Sequence, residues 1–330
     1  MKKSFVALAL MGAFSGAAFA QSSVTMYGIV DMGLVREDNG SAAGARTALD
    51  SGIQNGSRLG FKGTENLGGG LKANFVLEMG LNADTGASGQ GATFGRQAYV
   101  GLAGDFGSVN LGRQKSVTYD LGDDIDPFHI GMAGDIGRLF KTTNRNNNAV
   151  TYATTNLSGF VGTVQYAFGE VAGDTAANRT IGLSGKYHAG PVMAAIAYEK
   201  VNDALGNDLA GGKKTLVGGT YDFGVAKAHA AFETIKGGTS DQRVWMIGTT
   251  VPFGPGAFLA DYTRVTNKAA SNADGNQFAV GYTYDLSKRT DIYTSFSRTA
   301  NDSNATYNLD KSAKAGGTDK LFNVGIRHKF

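Results

Sequence analysis

Lys72-Ala73-Asn74-Phe75-Val76-Leu77-Glu78-Met79-Gly80-Leu81 is the stretch that decides the fold class. Successive side chains of a strand point to opposite faces, so Ala73, Phe75, Leu77, Met79 and Leu81 share one face while Lys72, Asn74 and Glu78 share the other. Just before it, Asn66-Leu67-Gly68-Gly69-Gly70 supplies a tight turn. Before the turn, Arg58-Leu59-Gly60-Phe61-Lys62 alternates in the same way, with two cations on one face.

Worked outward, the alternation covers most of the chain. Ser23 to Arg36 reads as a strand, with Val24, Met26, Val30, Met32 and Leu34 opposed to Thr25, Tyr27 and Asp31. Ala42 to Gly56 is polar and small, a loop or a weakly patterned strand edge. Thr93 to Ala103 and Ser108 to Lys115 follow a Gly/Ser-rich loop. Further strands are expected near 147–156, 160–170, 179–189, 192–202, 213–221, 225–236, 242–252, 257–268, 277–284, 290–299 and 320–330. Short connections such as 104–107, 189–191, 222–224 and 285–289 alternate with longer polar ones such as 203–212 and 300–319. The count is about sixteen, and an even number with alternating short and long connections is what a membrane-spanning barrel requires.

Composition fits that reading. The chain is glycine-rich (49) and proline-poor (4), has no cysteine and carries 13 Tyr and 19 Phe against one Trp. Without cysteine, no disulfide framework or thiol site is possible. Lys2 and Lys3, the apolar Phe5 to Phe14 and Ala18-Phe19-Ala20 form the three parts of a signal peptide over residues 1–20, so the mature chain is expected to start at Gln21. That remainder holds 29 basic and 28 acidic side chains, a balance that gives no sign of nucleic-acid binding. No run of eighteen apolar residues occurs after the leader, which excludes an ordinary transmembrane helix but not a barrel, whose strands show lipid only alternate side chains. A soluble sandwich or propeller would also show short strands and glycine turns. It would bury continuous cores, whereas here nearly every strand has one apolar face. The expected fold is all-β: a 16-stranded antiparallel transmembrane β-barrel over residues 21–330.

Residues 116–145 break the alternation. Asp120, Asp123, Asp124, Asp126 and Asp135 gather there, between Arg113 and Arg145. A long irregular segment in a compact domain is usually functional. It is expected to fold into the lumen as a constriction loop.

These features resemble the trimeric general porins of Gram-negative outer membranes, nearest their β-proteobacterial branch. The resemblance is carried by Val24-Thr25-Met26-Tyr27-Gly28, Ser57-Arg58-Leu59-Gly60-Phe61-Lys62-Gly63, Gly107-Ser108-Val109-Asn110-Leu111-Gly112-Arg113-Gln114 and the terminal strand Phe322 to Phe330. It implies passive diffusion of ions and small hydrophilic solutes through a water-filled homotrimeric channel in outer-membrane lipid, with no cofactor, metal or catalytic role. It places Arg58, Arg113, Arg145 and Lys62 on the basic wall of the constriction, opposite carboxylates from Asp123, Asp124 or Asp126. Facing walls of opposite charge in a narrow polar pore orient solutes and filter ions. The chain departs from relatives that read Pro-Glu-Phe-Gly-Gly in the loop, since Pro127-Phe128 is followed by His129, and Ala153 stands where one wall arginine is found in enterobacterial types. A weak anion preference is expected. Phe330, with Phe322, Val324, Ile326 and His328 on one face, resembles the signal read by the β-barrel assembly machinery.

Other functions leave no comparable trace. His129, His188, His229 and His328 lack metal-ligand spacing, no Gly-x-Ser-x-Gly elbow occurs, and Asn207 to Lys214 lacks the first glycine of a phosphate loop. The loop aspartates lack the spacing of a calcium loop. A substrate-selective channel for an anion or organic acid is the alternative within the class; a surface adhesin or structural outer-membrane protein, or an outer-membrane hydrolase, lies outside it.

Overall fold

The computed structural model describes residues 23–140 and 144–330. The expected signal peptide and the start at Gln21 lie outside the described residues. The first half of the chain forms β1 (Ser23–Asp38), β2 (Arg46–Ser51), β3 (Arg58–Gly68), β4 (Leu71–Asn82), β5 (Ala87–Ser88), β6 (Gln97–Gly104) and β7 (Gly107–Lys115). A helix α1 (Val117–Ile125) and a 3-10 turn (Ile136–Arg138) come next. Then follow β8 (Arg145–Ala153), β9 (Phe160–Ala167), β10 (Thr180–Ala189), β11 (Val192–Asn202), β12 (Asp208–Asp222) and β13 (Lys227–Gly237). β14 (Ser240–Phe253), β15 (Gly256–Asn267), β16 (Gly275–Asp285), β17 (Thr290–Asn301) and β18 (Thr318–Lys329) complete the chain.

β2 and β3 are one barrel strand interrupted at 52–57, since both pair with β1, the register shifting across the break from Ile29 opposite Arg58 to Met32 opposite Ser51. β5 pairs only with β4, inside a loop. Sixteen barrel strands therefore remain among the described residues, each antiparallel to its neighbours. β18 closes the ring on β1 from Ile29 opposite Lys329 to Asp38 opposite Lys320. Closure satisfies the backbone groups that an open edge would leave bare in hydrocarbon.

The outer surface is built from the apolar half of each alternation. Val24, Met26 and Leu34 of β1 are 67%, 60% and 55% exposed, whereas Asp31 of the same strand is fully buried. Aromatic rings gather at the short-turn end, where Phe253 stacks near Phe258 (5.4 Å between centroids), Phe258 near Tyr282 (4.6 Å) and Tyr221 near Phe223 (4.6 Å). Their amphipathic edges suit the interface between hydrocarbon and water.

Some sequence expectations need correction. Of the two readings open for Ala42 to Gly56, the strand is the one found, as β2, whereas the polar connection expected over 203–212 shrinks because β12 begins at Asp208. Polar residues there lie beyond the lipid, so alternation of hydropathy gives no signal. The strand expected from Thr93 begins only at Gln97, and residues 116–145 are not structureless but contain α1. Val117, Leu121 and Ile125 recur every fourth position, which marks one helix face. Ser116 caps that helix, its hydroxyl accepting from the Tyr119 amide at 3.2 Å.

The apolar core lies inside the barrel, between this inward loop and the wall. Val117, Leu121, Ile125, Ile136, Leu139 and Phe140 pack on Met193, Leu216, Val244 and Met246, while Phe128 and Met132 pack on Leu259 and Tyr293. Each such side chain, once buried, contributes about 1.5–3 kcal/mol. α1 approaches the wall closely because Gly182 leaves room: a Cβ there would lie 2.9 Å from Val117 Cγ2. The loop thus covers the wall of β10 to β18 and leaves the channel against β1 to β9.

Candidate functional site

A basic cluster faces the channel at mid-height. Arg58 opens β3 directly after the break in its strand, Arg96 precedes β6, and Arg145 opens β8. Glu78 of β4 ties the first two together: Arg96 Nε donates to its Oε1 at 2.8 Å, Arg58 Nη1 lies 4.0 Å from Oε2, and the Tyr27 hydroxyl donates to Oε2 at 3.0 Å. Backbone carbonyls fix the guanidinium planes, with Arg58 Nε donating to Gly56 O (2.9 Å) and Arg145 Nε to Arg96 O (2.6 Å). Arg145 also lies over the Tyr119 ring of α1, 5.4 Å from its centroid, and its Nη2 is buried without a hydrogen-bond partner among the described residues.

The acidic side is thinner than its sequence suggests. Lys115 lies 3.1 Å from Asp120 and 3.9 Å from Asp123, and His129 lies 4.0 Å from Asp123. Burial raises the Asp123 carboxyl from its ordinary value, against the pull of Lys115 and His129. Asp124 turns to the wall that carries α1, where it pairs with Lys186 at 2.8 Å. Asp126 is fully buried. Its carboxylate accepts from the amides of Phe128 (2.8 Å), Ile130 (2.9 Å) and Ile136 (2.9 Å). Burial, with Asp135 nearby, pushes it up to about 8; burial likewise pushes Asp135 up to about 6. Asp126 is therefore a latch for the loop and not a channel carboxylate, a correction to its expected place.

Asp126 holds an unusual backbone. His129, Ile130 and Met132 have φ of 53°, 51° and 55°. A β-branched residue such as Ile130 rarely adopts this region, and each such residue costs on the order of 1–3 kcal/mol. The loop tip is also tied to the far wall, with Met132 N donating to Ile53 O (2.6 Å), Ala133 N to Ser295 Oγ (2.9 Å) and Arg138 paired with Asp319 (2.6 Å).

Arg113 departs from its expected position. It lies opposite Ala98, two residues beyond the outward-facing Leu111, and its neighbour β8 shifts register there between Gly112 and Gln114. Its guanidinium donates to Gly95 O and Asn147 Oδ1 instead of joining Glu78. Arg113 follows the outward half of the alternation, and Arg96 takes its place on the basic wall. Lys62 keeps the lumen face but lies four residues along β3 from Arg58, over the Tyr27 ring at 5.3 Å.

A closed sixteen-stranded barrel with an inward loop and a basic wall narrows the choice to channel proteins, and the comparisons with known proteins agree. The profile of the Gram-negative porin family matches residues 7–304. Outer membrane porin protein 32 of Delftia acidovorans is 35% identical over the whole of both chains, and an outer membrane porin protein of Bordetella pertussis is 34% identical over the whole of both. The chain belongs to the Gram-negative porins. Among solved structures, the anion-selective porin from Comamonas acidovorans superposes with a TM-score of 0.80 at 31% identity, covering 94% of this chain and all of that one.

As a porin, the protein is an outer-membrane channel for passive diffusion, and its eyelet holds three residues that sequence reasoning did not single out as site residues. Glu78 was legible only as the polar side of a strand. Arg96 stands where the alternation of β6 has not begun, so parity assigns it no face. Tyr119 gives no local sign that its ring will meet Arg145, because the contact depends on how α1 lies across the porin lumen.

Proposed function

We propose that this porin is homotrimeric, prefers anions among small hydrophilic solutes and ions, and is exported by a signal peptide over residues 1–20. One observation carries the anion preference: Arg58 and Arg96 share a single carboxylate, Glu78, and Arg145 is held beside them by the Arg96 carbonyl, while Asp124 is neutralised by Lys186 and Asp126 is enclosed by its own loop. The surplus of fixed positive charge in a narrow passage raises the local concentration of anions and repels cations. The Comamonas acidovorans relative, described as anion-selective, is in keeping with this.

Arg113 supports the trimer. An arginine facing lipid near mid-height costs about 2–4 kcal/mol, and a neighbouring subunit that covers it removes the cost. Phe330 fits a role as the assembly signal, since its ring lies on the outer face at the seam and is 44% exposed. Passive diffusion needs no catalytic group.

The test is the reversal potential of the purified protein in a planar bilayer under a tenfold potassium chloride gradient. The expected sign is that of chloride. A cation-directed potential would overturn the preference, and current steps that never occur in threes would count against the trimer.

A further inference from the structure

A second polar recess lies on the short-turn side of the constriction, beneath the loop. Its volume is about 480 Å³, within the range of small-molecule sites. Pro127 and Phe128 of the loop, with Ala257 and Leu259 of β15, form an apolar floor. Lys329, at the end of β18, lines the opposite side together with Arg327 and His129.

The charges in this recess are not equivalent. Arg327 is bound to Asp291 by two nitrogens, at 3.0 and 2.7 Å, so it adds little net charge. Lys329 makes no ion pair among the described residues. The hydroxyls also differ. His229 Nδ1 donates to Ile125 O at 2.7 Å, which leaves Nε2 to accept from the Thr250 hydroxyl at 3.1 Å. Thr250 has therefore spent its proton. The Thr283 hydroxyl, on the lumen side of β16, makes no hydrogen bond among the described residues and remains a donor. The recess thus presents Lys329 and the Thr283 hydroxyl, with Gln54 and Asn55 also in its lining, beside a floor of proline, phenylalanine, alanine and leucine; the Asp123 carboxylate lines it too and is offset by Lys115 at 3.9 Å and His129 at 4.0 Å.

We propose that this recess is a binding subsite for small amphipathic organic anions, namely monocarboxylates with an aromatic or branched alkyl body. The carboxylate meets Lys329 and the Thr283 hydroxyl; the body lies on Pro127, Phe128, Ala257 and Leu259. Inorganic anions lack the apolar body and pass without lodging. Neutral aromatics lack the charge. The proposal rests on the channel reading above and names the class of solute such a channel would retain.

The experiment measures single-channel current of the full porin in potassium chloride with benzoate added to the short-turn side, and with acetate or benzyl alcohol as comparisons. Saturable block by benzoate, with neither acetate nor benzyl alcohol blocking at the same concentration, is the expected result. Lys329→Gln should raise the half-blocking concentration roughly threefold to fivefold, the size of one solvent-exposed charge contact. Ala257→Glu, which puts a carboxylate on the floor, should abolish block; Thr283→Val, which keeps the strand's shape, serves if that variant fails to assemble. Each variant is normalised to its own current in chloride. Absence of benzoate block in an open, chloride-preferring channel would overturn the subsite while leaving the porin reading intact. Equal block by acetate or benzyl alcohol, or block indifferent to all three substitutions, would overturn it too.

Discussion

The backbone of Phe330 exchanges two hydrogen bonds with that of Gly28, its amide donating to the Gly28 carbonyl at 3.1 Å and its carbonyl accepting from the Gly28 amide at 3.0 Å. The ring of Phe330 then lies over the Gly28 α-carbon. A Cβ at position 28 would stand 2.3 Å from Phe330 Cζ and 2.6 Å from the Arg58 carbonyl oxygen. Barrel closure thus depends on a residue without a side chain at the seam.

Gly28→Val should therefore displace the terminal ring and reduce the folded fraction sharply. In protein refolded without the assembly machinery, deletion of Phe330 removes both hydrogen bonds, at about 1–3 kcal/mol together, and should have a milder effect. Gel mobility of unheated samples reads the folded fraction directly. Normal folding of Gly28→Val would show that the seam tolerates a gap.

Replacement of Arg58 and Arg145 by glutamine should move the reversal potential toward cations, because Glu78 and Asp123 would then face fewer charges. Folding should change little, since lumen substitutions tune permeation more than stability. Arg113→Gln should leave the potential nearly unchanged. A large shift on altering Arg113 alone would contradict its outward placement.

Arg113→Leu should instead weaken subunit association, as a leucine is at ease in lipid where an arginine needs a partner. The expected reading is a larger monomer fraction in mild detergent with the barrel still folded. Trimers of undiminished heat resistance would remove the support that Arg113 gives to the oligomer.

Asp126→Ala leaves the buried amides of Phe128, Ile130 and Ile136 without their acceptor and removes what holds Ile130 at positive φ. The cost should be on the order of 3–5 kcal/mol of loop stability. Noisier single-channel current and faster proteolysis within 127–135 would report the freed loop.

The pH dependence of the same latch has a definite sign. Burial raises Asp126 from 3.8 to about 8, so the folded loop binds this proton more tightly than the unfolded chain does. Its contribution to stability is complete below pH 3.8 and is lost as pH rises through about 8. Asp135, raised to about 6, acts in the same direction over a lower window. Channel noise should increase between pH 6 and 9, and Asp126→Asn should flatten that dependence. Noise that decreased over this range would reverse the assignment.

The sequence by itself determined the barrel. Alternation such as Ala73, Phe75, Leu77, Met79 against Lys72, Asn74, Glu78 is local, and lipid on one side with water on the other enforces it residue by residue. Strand number, the seam strand ending at Phe330 and the inward loop followed from the same pattern. Tertiary structure alone decided which charges meet. The break between Ser51 and Arg58 sets Arg58 at mid-height, the register shift at Gly112 accompanies Arg113 on the outward side, and Arg96 enters the cluster from outside any strand. Likewise, Asp123, Asp124 and Asp126 are alike in sequence, yet one meets Lys115, one meets Lys186 and one is enclosed by its own loop. Those fates depend on contacts between residues far apart in the chain, and periodicity carries no information about them.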